Sequence, residues 1–122
     1  MYTKLIPILP VSDVREERSF YEALGFELHV DPVETYPADQ FAALAFGEHI
    51  LFGLALSPTA RPLTETGLCW QLETTDIDAV HARAIARGIH VIEPPTRQPW
   101  GRRTMLLGSP CGYRVGFEES AT

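Results

Sequence analysis

This sequence has few cysteines, no lysine or arginine in one long segment, and no extended apolar run. Its two cysteines, Cys69 and Cys111, are too few for a disulfide scaffold and form no CxxC pair of the kind found in structural zinc sites. No apolar run reaches the roughly 18 residues that a membrane span requires, and residues 1–4 lack the pattern of a signal peptide. We therefore expect a cytoplasmic protein with no membrane partner.

The acidic charge is concentrated in one part of the chain. The formal net charge is -6, and residues 19–60 contain acidic residues but neither lysine nor arginine. A nucleic acid partner is disfavoured, because binding it requires basic residues that neutralise phosphates. The acidic segment favours a cationic ligand, although a solvated acidic surface that maintains solubility has the same composition.

The length and composition indicate one folded domain spanning residues 1–122. Hydrophobic residues make up 45% of the chain and charged residues 21%, which is typical of globular proteins. A chain of this size can bury enough surface for one core.

An internal repeat with an offset of 63 residues organises the domain. In each copy an alternating strand, 5–11 or 68–74, leads to an aspartate at a helix start, Asp13 or Asp76, and the helix ends at Gly25 or Gly88. A proline-marked loop and strand candidates follow, at 41–46 and 49–54 in the first copy and at 103–107 and 113–117 in the second. The pattern predicts two tandem βαβββ modules, 1–56 and 66–119, joined by a connector at 57–65.

Four motifs resemble the vicinal-oxygen-chelate superfamily, which includes glyoxalase I, extradiol dioxygenases and bleomycin resistance proteins. They are IPILPVSDV at 6–14, SFYEALGF at 19–26, QPWGR at 98–102 and SPCG at 109–112. The QPWGR run, Pro7, and FAAL at 41–44 leading to ILF at 50–52 are most similar to bleomycin resistance proteins. The resemblance implies an α+β fold in which the two modules form a concave half-barrel sheet with the helices outside.

Metal-dependent members of this superfamily place four ligands on the inner strands. The matching positions here are Ile6, Gly53, Cys69 and Gly116. Because the metals of this family need imidazole and carboxylate donors, we predict no metal and no cofactor. The histidines do not supply the missing donors, because they fall in predicted loops, turns or helix surfaces: His29, His49, His81 and His90.

Strand alternation assigns faces in the second module, because side chains two residues apart lie on the same side. Gln71 and Glu73 fall on the inner face together with Arg114, and we hypothesise an ion pair between Glu73 and Arg114. Trp70 falls on the face that packs under the helix, whereas a shift of one residue would turn it into the cavity as a ligand contact.

Three further aromatic residues are candidate ligand contacts through the resemblance. The tryptophan of bleomycin resistance proteins that matches Trp100 stacks on the flat aromatic tail of the drug; a packed loop anchor is the alternative. Phe41 and Tyr36 match ligand-contacting aromatics of those proteins, and core packing is the alternative for both.

The resemblance favours a metal-free homodimer, paired near Pro7, that sequesters a cationic aromatic antibiotic of the bleomycin class and so confers antibiotic resistance by binding. The alternative is a glyoxalase-like, metal-dependent lyase, isomerase or dioxygenase that acts on a small oxygenated substrate. A third alternative is metal-free catalysis with Glu73 as the general base.

Overall fold

Each half of the chain forms one helix and one four-stranded sheet. The computed structural model describes residues 1–30, 36–59 and 70–120. The chain divides into two compact units, Met1–Arg61 and Pro62–Thr122, called unit 1 and unit 2 below. The module bounds 1–56 and 66–119 stay predictions, because the junction at 60–69 lies outside the described residues.

Unit 1 contains β1 (Ile8–Val11), α1 (Val14–Ala23), β2 (Glu27–His29), β3 (Phe41–Phe46) and β4 (Ile50–Leu56). Its sheet has the order β1-β4-β3-β2, with β1 parallel to β4 and the other pairs antiparallel.

Unit 2 repeats this arrangement with β5 (Trp70–Thr74), α2 (Ile77–Ala86), β6 (His90–Arg97), β7 (Arg103–Gly108) and β8 (Arg114–Glu119). Its sheet has the order β5-β8-β7-β6 with the same directions. The expected α+β class with two βαβββ modules is therefore confirmed. Among the described residues, no helix is long and apolar enough to cross a membrane.

Both helices begin and end at the residues that the repeat predicts. The Asp13 carboxylate accepts the Glu16 N–H at 3.0 Å, and the Asp76 carboxylate accepts the Ala79 N–H at 3.0 Å, so each aspartate satisfies an amide that the helix leaves without an internal partner. Past the end of α1, Gly25 has a φ of 101°, a left-handed conformation that favours glycine.

The core of each unit lies between its helix and one face of its sheet. In unit 1, Tyr21 of α1 meets the Phe20, Phe26 and Phe52 rings edge to face at 4.9, 5.6 and 4.9 Å. Edge-to-face contacts of this kind add about 0.5–1.5 kcal/mol each beyond burial. In unit 2 the core contains Ile77, Ala84, Met105, Leu107, Val115 and Phe117, all buried.

Three expectations about strands are wrong. β1 begins at Ile8 rather than at residue 5, and Leu5 is 88% exposed. The sequence also assigned no strand directly after either helix, where β2 and β6 are found. The sequence predicts a loop where β6 contains Pro94 and Pro95. This strand tolerates the two prolines because it lies at the edge of the sheet and because its register with β7 shifts between Glu93 and Thr96.

An ion-pair network ties α2 to its sheet. The Arg103 guanidinium donates to both carboxylate oxygens of Asp78 at 3.0 and 2.9 Å and to Glu119 at 3.1 Å. The hydrogen bonds from Arg103 lower the pKa of the Asp78 carboxyl, and the same pairing raises the pKa of Arg103. Asp78 lies in the first turn of α2, so the network joins the helix start to β7 and β8.

Candidate ligand-binding site

A row of small side chains forms a depression in the sheet of unit 1, on the face opposite the core. The register aligns His29 of β2, Ala43 of β3, Gly53 of β4 and Ile8 of β1 across the four strands. Aligned residues in a sheet share a face. Ala43 and Gly53, which have small or no side chains, therefore form a depression between the larger side chains of His29 and Ile8 on the two edge strands.

Gly53 allows two apolar side chains to close over that centre. A Cβ atom at this position would lie 2.7 Å from Ile8 Cδ1 and 2.8 Å from Phe41 Cζ. Carbon atoms in ordinary contact stand about 3.5–4.0 Å apart. The absence of a side chain at Gly53 is therefore what lets the Phe41 ring and Ile8 lie against the sheet.

The Tyr36 ring extends the aromatic surface away from the sheet. Its centroid is 4.8 Å from that of Phe41 with an interplanar angle of 48°, and Tyr36 is 54% exposed. The two predicted aromatic residues are thus brought together at the mouth of one cavity of about 490 Å³, whose other walls come from Ile6, Ile8, Val30 and Leu51.

Basic side chains supply the charge around this cavity. Among residues 1–30 and 36–59, its basic lining residues are Lys4, Arg18 and His29, and no aspartate or glutamate lines it. Arg18 also pairs with Glu22 of the same helix at 3.1 Å. The acidic surplus of residues 19–60 was expected to favour a cation, but none of the acidic side chains that the structure describes in that segment lines this cavity.

Trp100 lies in a tight loop of unit 2 between β6 and β7. The Gln98 N–H donates to the Arg102 carbonyl at 2.9 Å, the Arg97 guanidinium donates to the Gly101 carbonyl, and Gly101 has a φ of 103°. Trp100 is 65% exposed at the tip of this loop, so its ring is available to a partner and is not a packed anchor.

The open face of the unit 2 sheet carries a polar cluster. Glu118 of β8 accepts a hydrogen bond from the Gln71 side-chain amide at 3.3 Å. It also forms an ion pair with the Arg102 guanidinium at 3.0 Å. Gln71 and Glu73 are exposed on this face, as the alternation predicts. The register sets Glu73 beside Glu118.

One expectation for unit 2 needs correction. The hypothesised ion pair between Glu73 and Arg114 is wrong, because Glu73 aligns with Glu118 and Arg114 lies four positions earlier on β8, roughly 13 Å away at the rise of a strand. Trp70 aligns with the fully buried Val115 and lies half-buried on the core face, as the strand alternation predicts, and its contact with a ligand stays a prediction.

The family's metal-ligand positions do not fit a metal here. Ile6 and the two glycines at 53 and 116 offer no donor side chain, and Gly53 is covered by Ile8 and Phe41. Cys69 lies outside the described residues. Within ranges 1–30, 36–59 and 70–120, no three histidine, cysteine, aspartate or glutamate side chains are grouped so as to hold a metal ion.

The sequence did not indicate Lys4, Arg18 or His29 as site residues. One signal could have located the depression: every second residue of two neighbouring strands is small, at Ala43 and Ala45 in β3 and at Gly53 and Ala55 in β4. The basic residues carry no such signal, since they come from three separate segments.

Duplicated βαβββ units with an apolar pocket on one sheet define a class of small-molecule binding folds and metalloenzymes. The family model described as the Glyoxalase/Bleomycin resistance protein/Dioxygenase superfamily matches residues 4–117. The chain belongs to this superfamily. No curated protein matches the chain.

Solved structures of similar fold include three that concern antibiotics. A bleomycin-binding protein complexed with bleomycin is 21% identical, with 98% of this chain and 100% of that chain covered and a TM-score of 0.71. A bleomycin resistance determinant encoded on the transposon Tn5 is 22% identical, with 99% and 100% covered and a TM-score of 0.75. TnmS3, an antibiotic binding protein from Streptomyces sp. CB03234, is 27% identical, with 99% of each chain covered and a TM-score of 0.69.

Proposed function

We propose that this protein binds a planar aromatic small molecule in the unit 1 cavity and sequesters it without changing it chemically. The observation that carries the proposal is the Tyr36–Phe41 aromatic pair beside the depression at Gly53. A flat ring that enters the cavity can lie against Phe41 and be bordered by the aliphatic side chains of Ile6, Ile8 and Leu51.

The size and lining of the cavity support this proposal. Small-molecule sites usually enclose about 300–1,000 Å³ and are mostly apolar with a few polar groups, and the cavity of about 490 Å³ has this character. Aromatic stacking contributes about 0.5–1.5 kcal/mol per pair beyond area burial. Sequestration needs this affinity alone, with no nucleophile or base.

The antibiotic-binding relatives support an antibiotic as the ligand, and the bleomycin class expected from the sequence is the first to test. Trp100 is a second candidate stacking surface, in unit 2, because its ring is exposed on a loop held by hydrogen bonds. Gln71, Glu73 and Arg114 are retained as candidate polar contacts.

The proposed working form is a cytoplasmic homodimer. Several apolar side chains at the start of the chain are exposed in one copy, including Tyr2, Leu5 and Ile8 at 94, 88 and 51%. A second copy covering them would remove this apolar surface from water. Sedimentation of the purified protein tests the dimer.

Isothermal titration with metal-free bleomycin and with neutral polycyclic aromatic compounds tests the proposal. Wild type is compared with Phe41→Ala, with Trp100→Phe, and with Phe46→Ala as the matched control, because Phe46 ends the same strand as Phe41 but does not line the cavity. We expect at least one aromatic compound to bind with a loss of about fivefold or more in Phe41→Ala and little change in the control. Equal binding by Phe41→Ala and wild type would remove the unit 1 cavity as the site.

A further inference from the structure

We propose that the aromatic ligand of the unit 1 cavity carries an acidic group, such as a carboxylate, and is therefore an aromatic anion. This inference rests on the proposed aromatic site, and it replaces the first candidate ligand there, the cationic bleomycin class, by aromatic acids. The overall composition, with its excess of acidic residues, favours a cationic ligand. The inference is the opposite because it depends on which charged side chains line the cavity and not on the net charge of the chain.

The first observation is the sign of the charged residues around the cavity. Lys4, Arg18 and His29 line it, and among residues 1–30 and 36–59 no aspartate or glutamate does. The acidic side chains that the structure describes in residues 1–30 and 36–59 are outside this lining: Asp39 lines a separate concavity with Asp13 and Glu16, and Glu27 and Glu48 are exposed.

The second observation is the position of these groups relative to the aromatic surface. His29 stands at the β2 end of the row that crosses Ala43 and Gly53, with Ile8 at the opposite end. Lys4 lies two and four residues before Ile6 and Ile8, which also line the cavity. A ring stacked on Phe41, which covers Gly53, thus has a hydrogen-bond donor at the β2 end of the row and Lys4 in the segment that leads to Ile8 at the other end.

The three groups differ in how much charge they offer to a ligand. The Arg18 charge is partly compensated by the Glu22 carboxylate at 3.1 Å. Lys4 is exposed and carries a full positive charge. An imidazole N–H such as that of His29 donates to an anion in either protonation state. Lys4 and His29 are therefore the main candidates for contact with the acidic group.

The same arrangement disfavours a cation in this cavity. A cationic group over the aromatic pair would gain a contact with a ring face but would face Lys4 and Arg18 with no described carboxylate lining the cavity. Partial desolvation by the apolar walls strengthens both the attraction of an anion and the repulsion of a cation.

Three probes with one ring system test the inference. 2-Naphthoate, 2-naphthamide and 2-(aminomethyl)naphthalene share a planar bicyclic group and are respectively anionic, neutral and cationic. Their dissociation constants are measured from naphthalene fluorescence and by calorimetry, and octanoate serves as an aliphatic acid. We expect the order naphthoate, naphthamide, aminomethylnaphthalene from tightest to weakest, with about a fivefold step from acid to amide.

Variants assign the preference to residues. Lys4→Gln and His29→Gln should each reduce the acid-to-amide ratio by about two- to fivefold and leave the affinity for the neutral amide near that of wild type. Arg15→Gln is the matched control, because it removes one positive charge from the same unit at an exposed position outside the cavity lining. Salt should weaken naphthoate more than naphthamide, since screening acts on charge alone.

The outcomes separate this inference from the proposed function. Equal binding of all three naphthalenes, or a preference for the cation, with binding still lost in Phe41→Ala, overturns the anion preference and leaves the proposed function standing. Octanoate binding as tightly as naphthoate, with no effect of Phe41→Ala, overturns the aromatic site instead. If none of the naphthalenes binds at millimolar concentration, both fail.

Discussion

Replacing Gly53 by alanine should damage ligand binding while leaving the fold nearly intact. The new Cβ would stand 2.7 Å from Ile8 Cδ1 and 2.8 Å from Phe41 Cζ, both at the outer ends of side chains. To reach an ordinary carbon contact of about 3.5–4.0 Å, the Phe41 ring must move by roughly 0.7–1.2 Å. Such a shift also disturbs its contact with Tyr36, at 4.8 Å in the wild type.

The cost to folding should be limited because two effects oppose each other. Alanine reduces the conformational freedom of the unfolded chain, which stabilises by about 0.4–1 kcal/mol where the backbone is compatible, and Gly53 has no positive φ. Displacing two side-chain ends costs about 1–3 kcal/mol, so the free energy of unfolding should fall by no more than about 2.6 kcal/mol. Loss of one stacking contact should weaken aromatic binding by about two- to tenfold.

Urea denaturation and calorimetric titration on the same preparation measure the two quantities. Gly108→Ala is the matched control: its Cβ would lie 3.0 Å from His90 Nδ1 in unit 2, a similar crowding on a strand outside the cavity. Wild-type affinity in Gly53→Ala would refute the reasoning about the depression. If the free energy of unfolding falls by more than about 3 kcal/mol, the Ile8 and Phe41 side chains cannot move aside for the new Cβ as the reasoning assumes.

Three further predictions concern the scaffold. Asp13→Ala should lower the free energy of unfolding by about 0.5–2 kcal/mol in urea titrations, and Asp13→Asn should recover most of it. Leu44→Ala should cost about 2–5 kcal/mol by the same assay, since Leu44 is fully buried; a smaller loss would mean that the site collapses. Arg103→Gln should lower the melting temperature more at about pH 7 than at about pH 2. Because the pKa of Asp78 is lowered in the folded state, its ion pair stabilises the fold at pH values above the ordinary pKa of aspartate, and this contribution is lost as acid protonates the carboxylate. An equal decrease in melting temperature at both pH values would contradict this.

The sequence predicted best where local signals agreed. β3 was expected at 41–46 and is found there, because a continuous apolar run of strand length ends at Gly47, which forms a turn with a φ of 63°. The aspartate caps of both helices were equally clear. β6 was missed, since prolines that disqualify a central strand are acceptable at a sheet edge, and edge position is a property of the assembled sheet.

The candidate site was predictable only in part, for a related reason. Phe41 and Tyr36 came from the resemblance, and their contact depends on the side-chain gap at Gly53. Lys4 and His29 line the same cavity although 25 positions separate them in the chain, and strand pairing brings their segments to one sheet, which no local pattern specifies. A net charge has no direction, so the acidic surplus gave no information about the charge around the cavity.

The parallel pairing of β1 with β4 has a consequence for the order in which unit 1 forms. The β3–β4 hairpin closes over a short turn, from Phe46 to Ile50, whereas Ile8 must find Gly53 across most of the unit. The entropy of closing a longer loop slows such long-range pairing, so we expect β1 to dock last and to be released first. Since Ile8 walls the cavity, a bound ligand should slow amide exchange at Gly53, whose N–H donates to the Pro7 carbonyl at 2.8 Å.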